Sequence, residues 1–373
     1  MTNNLYHNRA AQWAAYLLIF GFMAVVPFIT DDLFTLNQLA RYCALGMLAM
    51  SVSVIWGFGG VLSLGQGIAF GMAAYGMAMT MQMQSQDISD PIPSFMLSSD
   101  IDVLPLLWEP FSSTPVGLIL TLAVPTAFFV AFGILMFQAR VAGVFVAIMT
   151  LAMCAAWYSM AYDMQPYTAG FNGISPPAYF KIGGGEVDPY SPLAYWICVA
   201  FLAGLAIGIK ALLETRFGLI VQAIRDDAER ARFLGYNVAY YQVVLFAISG
   251  FVAACAGLCW VMVVQYVSPT SFEIVLSISI VIWAAVGGRT SLIGAAAGAF
   301  LINGMQSYLG DELQQVWYLL LGGAFILIVL FMPNGLTGLF EIIFGALARK
   351  SEKETNSETS HKAQSVNPSK EGS

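Results

Sequence analysis

Charge is scarce along this chain, and so are the side chains that carry most protein chemistry. Of 373 residues, 10% are Asp, Glu, Lys or Arg, whereas a soluble domain carries about 25%. That shortage excludes an ordinary water-soluble fold. Histidine occurs only as His7 and His361, both outside the apolar runs. With no paired carboxylates or activated nucleophile beside them, the sequence offers no set of residues for acid–base, covalent or metal chemistry. No Gly-Lys dipeptide is present, so the chain lacks a phosphate-binding loop ending in Gly-Lys-Ser or Gly-Lys-Thr. If ATP drives what this protein does, another subunit hydrolyses it. The five cysteines, Cys43, Cys154, Cys198, Cys255 and Cys259, all fall in apolar runs, where thiols behave as small hydrophobes. Cys255 and Cys259 stand one helical turn apart but lack a His or carboxylate companion, and zinc normally takes four ligands. Ionisable groups are nearly missing from the middles of the apolar runs: Arg41 and Glu273 each lie near a predicted outer end. Since mid-membrane acids and bases mark proton and ion pathways, an ion-coupled carrier is disfavoured.

What is abundant is hydrocarbon. Apolar residues make up 58% of the chain, and the mean hydropathy is +0.74. Each bilayer crossing takes about 20 apolar residues, and the sequence predicts an all-α polytopic membrane protein of about ten spans. They are Ala11 to Ile29, Leu36 to Trp56, Val61 to Met81, Pro115 to Phe137, Val141 to Tyr162, Pro192 to Leu213, Tyr240 to Gln265, Phe272 to Val286, Leu292 to Tyr308 and Gln315 to Met332. The first is read as an uncleaved span, because no convincing small-x-small cleavage site follows it. With ten spans and a cytoplasmic N-terminus, thirteen of the fifteen basic residues fall inside, Arg41 and Lys181 being the exceptions. Basic loops stay in the cytoplasm, so both termini are expected there. The predicted outer loops collect the acids, notably Asp87 to Glu109, and carry prolines that stiffen them. The permease domain is taken as 1–348, with a coupling loop at 214–239. The tail at 349–373 has no aromatic residue and buries too little apolar area to fold.

One stretch is both charged and patterned. From Leu219 to Asn237 the sequence reads LIVQAIRDDAERARFLGYN, with apolar residues at Ile220, Ile224, Ala228, Ala231 and Leu234 and charges on the other faces at Arg225, Asp226, Asp227, Glu229, Arg230 and Arg232. This spacing predicts one amphipathic helix, stopped by Gly235 and lying on the cytoplasmic side. Two glycine-rich hairpins frame the rest. Trp56 to Gly76 holds seven glycines together with Ser63 and Gln66, and Ile282 to Phe300 repeats its Gly-Gly-x-x-Ser-Leu order at Gly287, Gly288, Ser291 and Leu292. Glycines at such density either let helices pack closely or break a span that lines a pathway; for the first segment the broken span is favoured. Trp283, Asn303 and Gln306 are further polar or aromatic residues within spans. Asn172-Gly173, in the segment Thr168 to Ile174, is a tight-turn pair.

The segment Ala223 to Gly235 resembles the ATPase-coupling loop of the LivM-type permeases, the membrane subunits of branched-chain amino acid ABC importers. Gly59 to Gly67, Thr168 to Ile174 and Val286-Gly287-Gly288-Arg289 resemble other marks of that family, in the same order. Gln66, the run Val281 to Arg289 and Met332-Pro333-Asn334-Gly335-Leu336 look closest to its urea and short-chain amide branch. Ala169 stands where the family's outer turn usually has Gly, and Ser279 where many urea-type members have an acid. The resemblance implies a permease subunit in a bacterial inner membrane, without a cofactor. Its partners would be a second similar permease, two cytoplasmic ATPase subunits and a periplasmic binding protein that delivers a small neutral solute. Coupling would fall to Arg225, Asp226, Asp227, Glu229, Arg230 and Gly235, with the loop moving as a rigid lever, and the substrate pathway to Ser63, Gln66, Phe171, Asn172, Ser279 and Trp283. A branched-chain amino acid permease is the alternative. A passive urea or amide channel would leave the charged loop unexplained.

Overall fold

In a computed structural model, residues 9–313 are described except 31, 87–91, 100, 102 and 184, with isolated positions from 319 to 335. The helical membrane architecture is as expected. Among the described residues thirteen α-helices are delimited: α1 Arg9–Ile29, α2 Leu33–Val52, α3 Gln66–Gln84, α4 Ser94–Leu97, α5 Thr114–Gln138, α6 Val144–Asp163, α7 Gln165–Thr168, α8 Pro192–Leu213, α9 Arg216–Asp226, α10 Ala228–Phe233, α11 Val238–Val264, α12 Ile274–Gly287 and α13 Leu292–Leu313. Among the described residues six helices are long and apolar enough to cross a membrane, and α12 with α13 passes as a pair bent by 116°. The eighth and ninth predicted spans are thus one bent hairpin. The tenth falls largely outside the described residues, as does the tail at 349–373.

The third predicted span is corrected at its start. The chain from Val61 to Gly65 is in neither helix nor strand, and α3 begins only at Gln66. It is among the most buried helices of the bundle, packing between α11 and α5. Its Gln and Thr residues and three glycines keep it below the hydropathy of a lipid-facing span, yet protein surrounds it. α2 and α11 are the other two central helices, while α1 is peripheral, with no buried residue in its spanning window. Pro27 inside α1 has no N–H to give, which leaves the carbonyl four residues back without its helical partner. The hydroxyl of Tyr195 on α8 donates to that carbonyl, on Met23, at 2.8 Å, and Trp196 Nε1 donates to the Ala24 carbonyl at 3.2 Å. At the other end of α1, Lys210 Nζ of α8 sits 4.7 Å and 4.3 Å from the ring centroids of Trp13 and Tyr16.

Among the described residues there is also a short ribbon, β1 Phe180–Ile182 with β2 Gly185–Val187, in the second long loop, between α6 and α8. That loop is pinned to the α11–α12 link by paired backbone bonds between Ile174 and Val267. It meets the first long loop, between α3 and α5, through Trp108 Nε1, which donates to the Tyr167 carbonyl at 3.1 Å.

Candidate functional site: a broken helix and its coupling contacts

α2 continues as a π-helical turn, Ser53–Phe58, so that the combined helix runs from Leu33 to Phe58. At a rise of about 1.5 Å per residue, its 26 residues more than span a bilayer core. Gly60, at φ +71°, then turns the chain back, and five non-helical residues lead to α3 inside the bundle. Non-helical backbone at this depth is tolerated only where protein answers its polar groups. Thr150 and Cys154 of α6 do so: Thr150 Oγ1 accepts from the Leu64 N–H at 3.0 Å, and Cys154 Sγ donates to the Leu64 carbonyl at 3.3 Å. Ser63 is fully buried and committed to its own turn, accepting from the Gly65 N–H at 3.2 Å.

α3 therefore starts inside the protein, with its first N–H groups and the positive end of its dipole facing a girdle of neutral polar side chains. Gln66 is 1% exposed; its Nε2 donates to Ser249 Oγ of α11 at 3.3 Å, while its Oε1 is buried without a partner. Ser277 Oγ of α12 lies 3.5 Å from Cys154 Sγ. One turn along α3 the ring of Phe272 lies against Gly71, where a Cβ would overlap it. Phe272 stacks on Tyr75 at 5.8 Å and on Trp157 at 6.1 Å. Beyond this aromatic layer opens a cavity of about 710 Å³, lined by Met72, Tyr75, Trp108, Phe111, Trp157 and Thr168 among others and roofed by Leu106 and Leu107 of the first long loop.

At the opposite end of the broken segment, three sequence motifs meet. A Cβ on Gly57 would overlap the Arg289 carbonyl, so only glycine lets the two hairpins touch here. Ser53 Oγ donates to that carbonyl at 2.7 Å, and the Arg289 guanidinium lies 5.6 Å from the Trp56 ring centroid. Arg225 Nη1, from α9, donates to the Gly57 carbonyl at 3.1 Å. The charged loop is thus hydrogen-bonded directly to the end of the α2 π-turn.

The single lever expected over Leu219 to Asn237 is two helices. Asp227, at φ −156° and ψ 94°, breaks it, and its carboxylate accepts from the Arg230 N–H at 2.9 Å as the N-cap of α10. A side chain that competes for backbone donors favours such a cap over a helix interior. Ile224, Ala231 and Val238 form the loop's own small core, with Ile220 and Ala228 beside them. Leu234, assigned to that face by spacing, is instead 73% exposed and Phe233 89%. The charges pair locally: Arg225 with Asp226 at 3.0 Å, Arg230 with Asp227 at 3.3 Å and Arg232 with Glu229 at 3.7 Å. Gly235, at φ +90°, ends the loop.

The remaining predicted site residues do not converge on Gln66. Ser279 is back-bonded to the Val275 carbonyl at 2.8 Å; Ser277, two positions earlier, is the α12 serine in the girdle. Phe171 is 74% exposed and Asn172 is exposed, its carbonyl accepting from Tyr266 Oη at 3.1 Å. Both belong to a turn closed by the Gly173 N–H on the Gly170 carbonyl at 3.2 Å. Trp283 is buried in the α12–α13 packing. Sequence reading missed Thr150, Cys154, Ser249, Ser277 and Phe272, whose types are ordinary in apolar helices and which only the fold assembles.

An interrupted helix within a polytopic helical bundle, held against a surface loop at one end and an aromatic-floored cavity at the other, is the architecture of a polytopic membrane protein with a built internal site. The chain belongs to the family described as branched-chain amino acid transport system / permease component, whose pattern matches residues 34–330. It is 25% identical over 329 residues to the high-affinity branched-chain amino acid transport system permease protein LivM of Escherichia coli, covering 82% of this chain and 69% of that protein. The LivM protein of Salmonella typhimurium is 24% identical over 312 residues, 78% of this chain and 67% of that one. The ribose import permease protein RbsC of Haemophilus influenzae is 23% identical over 211 residues, 55% of this chain and 64% of its own length, so the chain spans less than two thirds of that relative. No solved structure matches the chain.

Proposed function

We propose that this chain is the membrane-spanning permease subunit of an ATP-driven importer for urea or short-chain amides, set in a bacterial inner membrane with both termini cytoplasmic. It pairs with a second similar permease, two cytoplasmic ATPase subunits and a periplasmic binding protein. The observation that carries the substrate class is Gln66: a buried amide oxygen without a donor, in a girdle of hydroxyl, thiol and amide groups with no ionised side chain. A solute rich in N–H donors and carrying no net charge matches such a site, since an unpaired buried acceptor costs about 1–3 kcal/mol that an N–H of the solute restores. The Phe272 layer separates the girdle from the aromatic cavity and acts as the gate between them.

Coupling runs from the α9–α10 loop through Arg225 to the Gly57 carbonyl, and so to the π-turn and broken segment. Phe233 and Leu234 are the exposed apolar tip offered to an ATPase groove. Asp226, Asp227, Glu229 and Arg230 hold the loop's shape by their local pairs. Insertion of bulk at Gly235 moves that tip and uncouples hydrolysis from uptake.

A second reading, a branched-chain amino acid permease, is favoured by the LivM relatives and by the apolar walls of the 710 Å³ cavity. In that case the start of α3 would face a carboxylate. Uptake of labelled urea and of labelled leucine in cells holding this chain with its partners, before and after ATP is depleted, separates the readings. ATP-dependent urea uptake that leucine does not compete for supports the first. Leucine uptake selects the second, and flux of either solute that survives ATP depletion points to a channel.

A further inference from the structure

Arg41 is a cation without a described counter-charge. It lies on α2 eight residues past Leu33, about 12 Å along the helix, at the end of the bundle far from α9. Its Nε is buried without a hydrogen-bond partner, and among the described residues it forms no ion pair. A guanidinium in a spanning helix is costly unless an acceptor meets it. Arg41 borders a cavity of about 290 Å³ between α2 and α13. The polar groups around it are neutral: Tyr42 Oη donates to Ser307 Oγ at 2.7 Å, and Gln38 and Gln306 add amides. The single Tyr42 proton is also within reach of the Asn303 carbonyl at 3.2 Å, and the Ser307 hydroxyl can rotate to give its own. Gln306 and Ser307 are exposed, and Phe34 and Trp260 supply apolar wall beside the polar floor.

We infer that this cavity binds the phosphodiester of an anionic phospholipid, with Arg41 as its counter-charge and the Ser307 hydroxyl and Gln306 amide as further donors. The choice of a lipid rests on three features of the site. Its rim lies on the exposed side of α13. Helical side chains tilt toward the N-terminus, so Arg41 reaches toward the headgroup end of α2. The walls also join apolar and polar surface, as an acyl chain beneath a phosphate requires. The inference is independent of which solute is carried.

The test is native mass spectrometry of the full chain with its co-purifying partners, extracted from phosphatidylcholine nanodiscs made with or without phosphatidylglycerol. The expected result is retained phosphatidylglycerol that falls roughly fivefold or more in Arg41→Gln, in line with loss of one cationic contact to an anionic headgroup. Should Arg41→Gln fail to fold, Ser307→Leu, which fills the cavity and spares the cation, gives the same loss. Three outcomes overturn the inference. The first is equal retention by the wild type and these variants. The second is release of the lipid by millimolar inorganic phosphate, which marks a free-anion site. In the third, the wild type retains no lipid but the Asp311→Asn, Glu312→Gln variant does, meaning that the chain's own carboxylates answer Arg41.

Discussion

Gln66 and Ala169 are the two residues at which local chemistry asks most of the surrounding fold. Replacing Gln66 by Leu keeps the volume and removes the unpaired oxygen, so the chain stays folded and uptake falls about tenfold or more, the equivalent of roughly 1.4 kcal/mol. Transport by Gln66→Leu at wild-type rate, measured in proteoliposomes, removes Gln66 from the site. Ala169 is buried at φ +58° and ψ 12°, a conformation costing an L-residue about 1–2 kcal/mol. Ala169→Gly is expected to stabilise the protein by about 0.5–1 kcal/mol, the relief being partly offset by glycine's greater entropy when unfolded. Thermal unfolding in detergent checks the sign. Gln66 was legible in the sequence because an amide among glycines in an apolar run is conspicuous. The Ser277 and Ser279 alternative was not. Two positions in a helix differ by about 200°, so only one serine can face α3, and the hydropathy of α12 is too uniform to say which.

Among the elements, the α9–α10 loop shows what periodicity can and cannot reveal. Ile220, Ile224, Ala228 and Ala231 were readable as one face because the helical phase survives the break, but the break itself depends on the Asp227 carboxylate capping a new helix. Asp227→Ala removes a cap worth about 0.5–2 kcal/mol and frays α10; the expected readout is faster proteolysis of the loop and a lower ratio of solute moved to ATP hydrolysed. A pH effect is expected at the start of α2. Asp32 accepts from Thr35 Oγ1 at 2.6 Å and from the Phe34 N–H at 3.1 Å, and these bonds, the Thr35 hydroxyl first, hold its carboxyl below the ordinary aspartate value. A lowered folded pKa means that this contribution is complete above the unfolded value, about 3.9, and is lost as pH falls through the folded one. Unfolding scans across the acid range should show a decline from this source in the wild type that is missing in Asp32→Asn.

On the scale of the whole molecule, composition made the membrane class plain, and glycine density pointed to the broken span. What no window of sequence revealed is the meeting of distant motifs: Gly57 with Arg289, Arg225 with Gly57, and Phe272 with Gly71. The bent α12–α13 hairpin was read as two crossings because each arm is apolar, and hydropathy does not register the turn at Gly288. In the proposed coupling, the charged loop drives the broken helix through Arg225. Its most direct test is the ratio of solute imported to ATP hydrolysed by the reconstituted complex carrying Arg225→Gln. Hydrolysis is expected to continue while the ratio falls about tenfold or more, the loss of one charge-assisted bond of about 1.5–3 kcal/mol; an unchanged ratio would rule out coupling through Arg225.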